Sequence, residues 1–150
     1  MRLLMPLLAG LALATTAIAT DPAPKPKVPK LTEELVAKGR AAYEVACASC
    51  HGTLGDGNGP AGQYLNPKPR QFGKEPFKQG DSVEAIFLTL QTGVPMTPMV
   101  SFAHLPEEDR WAMAWYVSHF LGTKDGKKTK KLVDKLPPLQ PPATPAPAAP

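Results

Sequence analysis

The sequence predicts an all-α domain, on three observations. Apolar residues recur at helical spacing in three separate stretches, near Thr32, Ser82 and Pro106. No stretch carries the two-residue alternation of a half-buried strand. The connections between the helical stretches are dense in glycine and proline, which break both helices and strands. With 150 residues and a net charge of +4, the chain suits one domain of modest size.

Residues 1–19 read as a secretory signal peptide. A single Arg2 precedes an apolar run from Leu3 to Ala14, and Ala17-Ile18-Ala19 forms a small-x-small cleavage site. The run is short for a membrane span and is interrupted by Pro6 and Gly10. Cleavage after Ala19 and a periplasmic destination are the expectation. Residues 20–30 alternate proline with lysine and read as an extended linker. The first helix begins after Thr32, an N-cap residue, with Glu33 and Glu34 at the positive end of the helix dipole. Leu35, Val36, Gly39, Tyr43 and Ala46 share its inner face. A glycine inside a helix costs stability, and its missing side chain makes sense where a second helix crosses closely.

That helix delivers Cys47-Ala48-Ser49-Cys50-His51, the attachment signature of a c-type haem. Two thiols three positions apart can each add to one vinyl group of the same porphyrin, and the next residue places an imidazole under the iron. Both cysteines of the chain lie in this motif, so thioether attachment leaves no thiol for a disulfide. A structural zinc site needs four ligands, and only His104 and His119 remain outside the motif as partners. A thioredoxin-type redox motif needs a βαβ setting that this chain lacks.

Gly52 to Gly62 holds five glycines and one proline, a loop able to pass close to a flat ligand. Asn66 to Phe77 is irregular, with Phe72 and Phe77 as anchors and Arg70 offering a fork for a haem propionate. The second helix runs from about Ser82 to Leu90, with Asp81 and Glu84 as a capping-box-like pair. A proline-containing loop follows and carries Met96 and Met99. The third helix starts at Pro106, beside Glu107, Glu108 and Asp109, and runs to about Leu121. Met113, Tyr116, Val117, Phe120 and Leu121 make its core stripe, while Trp111 and Trp115 fall on another side, either over a haem edge or a returning tail, or toward a partner. Residues 123–150 are Lys-rich and then Pro/Ala-rich, the composition of a disordered tail. The folded domain is thus expected over residues 31–122, too small for a strong core without a prosthetic group.

Over nearly all of residues 31–122 the chain resembles the small class I monohaem c-type cytochromes. Gly39-x-x-x-Tyr43 leading to Cys47-x-x-Cys50-His51 is similar to the family's N-terminal helix. Gly59-Pro60 matches a Gly-Pro whose carbonyl, in the family, orients the ligand histidine. Gly93 to Phe102 resembles the distal loop, and Arg110, Met113 and Tyr116 the closing helix. The resemblance implies a cytochrome c fold, with three main helices and haem-wrapping loops around one covalent haem c. It also implies Cys47 and Cys50 as thioether attachments, His51 as proximal iron ligand, and Pro60 as its orienter. Aligned on Thr97 and Phe102, the distal ligand is Met99. Met96 stands where the family often has glycine and Val100 where it usually has proline, so Met96 and His104 remain alternatives.

The function expected from this is periplasmic electron transfer with His/Met ligation, without catalytic residues and without nucleic-acid binding. Lys68, Lys74 and Lys78 suit redox partner proteins with an acidic docking face. The alternatives are a haem catalyst or ligand sensor with a labile sixth site, and a dedicated cytochrome subunit in contact with a membrane oxidase or dehydrogenase complex.

Overall fold

A computed structural model describes residues 26–139 of the chain. The signal-peptide reading of residues 1–19, the first part of the linker and the Pro/Ala-rich residues 140–150 lie outside the described residues. Within them the regular elements are all helical: α1 (Glu33–Ala46), α2 (Ala48–His51), a 3₁₀ turn (Gly62–Tyr64), α3 (Val83–Thr92), α4 (Glu107–Ser118) and α5 (Lys124–Val133).

The core is built where α1 and α3 pack on α4. Thr32 caps α1, its Oγ1 accepting the Leu35 amide at 3.2 Å. Val36, Gly39 and Tyr43 then face inward. At Gly39 the two backbones nearly touch, and a Cβ there would lie 2.0 Å from the Ala112 carbonyl oxygen. Tyr43 fills the neighbouring space, its ring 5.2 Å from that of Tyr116. The helix pauses at Cys47 (φ −121°) and resumes as the single turn of α2, so the motif's remaining residues form their own short helix.

Helix α3 is capped by Ser82, whose Oγ accepts the Ala85 amide at 3.2 Å. Asp81 serves the preceding turn instead, accepting the Phe77 amide at 3.0 Å. Helix α4 is buried on every side from Arg110 to Ser118. Both tryptophans belong to the interior. Trp111 stacks on Phe87 at 3.8 Å, and Trp115 donates through Nε1 to the Pro29 carbonyl at 3.2 Å. The end of the linker is therefore packed, with Val28 and Leu31 against the core.

The Lys-rich stretch after Gly122, whose composition predicts a disordered tail, is instead the helix α5, packed on α4 and α1. The folded unit extends past residue 122. Thr123 caps it by accepting the Gly126 amide at 3.0 Å. Its inner face uses small residues: a Cβ on Gly126 would lie 2.3 Å from the carbonyl oxygens of Ser118 and Leu121, and the Thr129 and Ser118 hydroxyls meet at 3.0 Å. Leu132, Val133 and Leu136 complete the contact.

Candidate functional site

Cys47, Cys50 and His51 line one cavity of about 340 Å³, whose wall continues through Leu65 to Phe72, α3 and the loop bearing Met99. The segment order explains this convergence. Helix α1 ends at Ala46, and its C-cap Cys47 donates its amide to the Tyr43 carbonyl. The Tyr43 hydroxyl then donates to the Gly52 carbonyl at 2.6 Å, tying α1 to the backbone just after His51.

The glycine loop does not line the cavity. It closes on the backbone of α2: the amides of Gly57, Gly59 and Ala61 donate to the carbonyls of His51, Cys50 and Ser49 at 2.8, 3.2 and 2.8 Å. Helix-end carbonyls need such donors. Gly59 is required by closeness, since a Cβ there would lie 2.4 Å from the Ser49 carbonyl oxygen. The Gly-Pro expectation therefore needs correction. Pro60 is exposed and its carbonyl accepts from Gln63 Nε2 at 3.1 Å, because the loop turns outward after Gly59. The carbonyl beside His51 Nδ1 is that of Arg70, at 3.3 Å. With Nδ1–H donating there, the tautomer leaves the Nε2 lone pair free to ligate.

Phe72 holds the imidazole plane, stacking on His51 at 4.6 Å and 23°, and is itself braced by Phe77 and Phe120. Burial lowers the pKa of His51, opposed by the Arg70 carbonyl, and keeps the ring neutral at neutral pH. Burial, reinforced by nearby Cys50, pushes the Cys47 thiol up to about 12.

The loop after α3 separates its two methionines. Gly93 takes φ 69°, and the Val94 amide donates to the Met99 carbonyl at 2.9 Å, closing a tight loop. Thr97 pins its interior, donating to the Val94 carbonyl at 2.8 Å and accepting the Met99 amide at 3.2 Å. Met99 at the base of the loop lines the cavity. Met96 sits at the tip with φ 62° and is 98% exposed. His104 is exposed and lies off the cavity wall.

Lys68, Arg70 and Lys78 are the cations on the cavity wall. Arg70 pairs with Glu75 at 3.0 Å; its remaining guanidinium donors are available to an anionic group. Among the described residues no three His, Cys, Asp or Glu side chains gather into a metal-binding group, which a structural zinc site would need.

The residues present fit a covalently held haem. Two free thiols and a neutral imidazole with an uncommitted Nε2 share a wall whose other contributors are mostly apolar. The cytochrome c family model matches residues 36–120, and the chain belongs to that family. It is a c-type cytochrome domain with the all-α cytochrome c fold, and its chemistry is haem-based electron transfer. The chain is 28% identical over 100 residues to a thiosulfate dehydrogenase of Stutzerimonas stutzeri (strain A1501), covering 67% of this chain and 32% of that protein. Among solved structures it is similar to a reducing HAO-like protein complex of Kuenenia stuttgartiensis, with a TM-score of 0.57 and 32% identity, covering 69% of this chain and 52% of that one. The chain thus spans about a third of the first relative and about half of the second.

Proposed function

We propose that this protein is a periplasmic single-electron carrier holding one haem c, with His51 and Met99 as axial ligands. The observation that carries the reading is the loop geometry: Met99 faces the cavity that holds Cys47, Cys50 and His51, while Met96 points away from it. A bound haem would supply the one-electron iron couple, and a thioether opposite the imidazole raises its potential. The chain's own residues do the rest. Cys47 and Cys50 anchor, the Arg70 carbonyl and the Phe72 ring orient His51, and Arg70 is placed to pair with a propionate. The apolar wall excludes water, which favours the less charged reduced state. Lys68 and Lys78 at the cavity, with exposed Lys74, steer an acidic redox partner by long-range attraction that salt screens.

With both axial positions supplied by the protein, no position is left for a substrate. Reduced protein is therefore expected not to take up carbon monoxide at neutral pH, whereas Met99→Ala is expected to bind it readily. Stopped-flow absorbance checks this. Rapid uptake by the unmodified protein would instead support a haem catalyst or ligand sensor.

A second reading has its own support. The relatives are a longer dehydrogenase and a component of a multi-protein redox complex, which favours service as a dedicated cytochrome subunit. Cell fractionation separates the two, since a freely soluble periplasmic pool supports the carrier and stoichiometric recovery with a membrane complex supports the subunit.

A further inference from the structure

Helix α5 carries a feature that neither the cavity nor the electron-transfer reading uses. Residues 124–135 hold six lysines against two aspartates. Lys128 pairs with Asp125 and Lys130 with Asp134. The other four, Lys124, Lys127, Lys131 and Lys135, are exposed and have no acidic partner among the described residues. Their spacing of three, four and four residues puts them on one stripe of the helix, with Lys135 in the turn that follows it.

The start of this stripe works against the helix that bears it, while Lys131, in the last turn, suits the negative end of the dipole. Lys124 and Lys127 stand in the first turn, at the positive end of the dipole, where a cation is unfavourable. Lys127–Lys131 and Lys131–Lys135 are like-charge pairs at i, i+4, which repel. The helix is held instead by the Thr123 cap and by the buried Gly126 and Thr129. A row of unmatched, mutually repelling cations is relieved by a polyanionic surface.

We propose that the α5 lysine stripe is a docking surface for an anionic phospholipid bilayer. The place of the stripe favours this occupant over a redox partner, which has to meet the cavity where Lys68 and Lys78 stand, and no α5 residue lines that cavity. Protein interfaces centre on aromatic, methionine and arginine anchors and are poor in lysine. The stripe consists of lysines, and the exposed aromatic and methionine side chains, Tyr64 and Met96, belong to other segments. Four or more basic residues on one helix face bind anionic headgroups through charge alone. Attachment through the stripe is peripheral by its chemistry, charge on headgroups; among the described residues no helix is long and apolar enough to cross a membrane. No α5 residue lines the cavity, so the docked protein keeps its cavity residues free to meet a partner.

Flotation of the haem-loaded protein with vesicles tests this. At about 50 mM salt it is expected to float with phosphatidylcholine vesicles containing phosphatidylglycerol, to stay behind with pure phosphatidylcholine, and to be released at about 500 mM salt. Changing Lys124, Lys127, Lys131 and Lys135 to glutamine keeps helix propensity and is expected to weaken binding by at least about a hundredfold, with the absorption spectrum unchanged. Asp134→Asn is expected to strengthen binding. No binding to anionic vesicles at low salt, equal binding to neutral ones, or full binding by the four-lysine variant would overturn the proposal. So would stripe-dependent binding to a soluble acidic protein in the absence of vesicle binding. None of these outcomes depends on which residue ligates the iron.

Discussion

Changing Cys47 and Cys50 together to alanine is expected to give a protein that loses its haem to acidified acetone and no longer melts cooperatively. Both thiols stand on the wall of one cavity, and neither is committed to a disulfide. Cys47 is nearly inaccessible to solvent, and burial keeps it a neutral thiol. Addition of a thiol across a vinyl group forms the C–S bond and passes the thiol hydrogen to the neighbouring carbon, so the step consumes no oxidant. With neither anchor, the group is held only by ligation and apolar contact. The energetic stake is large because the cavity lies within the core. The apolar side chains that would pack on the group, among them Phe72, Ile86, Leu90 and Val117, lose that packing without it, and domains of this size have about 5–15 kcal/mol of stability in all. Single changes, each leaving one thioether, are expected to retain haem with a smaller loss. Pigment surviving acetone extraction in the double variant would contradict this assignment.

Gly39→Val is expected to cost more than about 3 kcal/mol and to lower the melting temperature by roughly 10–20 °C. A Cβ at residue 39 would lie 2.0 Å from the Ala112 carbonyl oxygen and 2.9 Å from the Tyr116 Cβ. The first neighbour is backbone and cannot swing aside, so α1 and α4 would have to separate. That separation would also shift Tyr43 and, through its bond to the Gly52 carbonyl, the backbone below His51. Gly122→Ala is the matched control. Nothing lies within 4 Å of a Cβ there, and a change near zero is expected. Thermal unfolding of the holoproteins, followed by circular dichroism, measures both. An unchanged melting temperature for Gly39→Val would show that the helix crossing is looser than described.

What the sequence made legible was side-chain chemistry at fixed local spacing. Cys47, Cys50 and His51 are set by one turn of helix, and Gly39 with Tyr43 by a helical face, so both were readable. Interactions made by backbone atoms across the chain were not. The bond to His51 Nδ1 comes from the carbonyl of Arg70, nineteen residues away. Every residue owns a carbonyl, and nothing in the residue type marks this one. Pro60 was the candidate by family pattern, but the glycine loop spends its close approach on the α2 carbonyls and turns the proline outward. Helix α5 escaped for a related reason. Its inner face is carried by Gly126 and Thr129, which count as a helix breaker and a polar residue, yet both are buried against Ser118 and its neighbours. The tryptophans show the converse. A helix covered by α1, α3, α5 and the segment around Pro29 has no outer face, so one apolar stripe could not describe α4.

The central proposal is that the loop after α3 turns Met99, and not Met96, toward the iron that His51 would hold. The ferric absorption spectrum of Met99→Ala beside Met96→Ala tests it most directly. The methionine–iron charge-transfer band is expected to vanish in Met99→Ala and to persist unchanged in Met96→Ala. Loss of the band only in Met96→Ala would contradict the account.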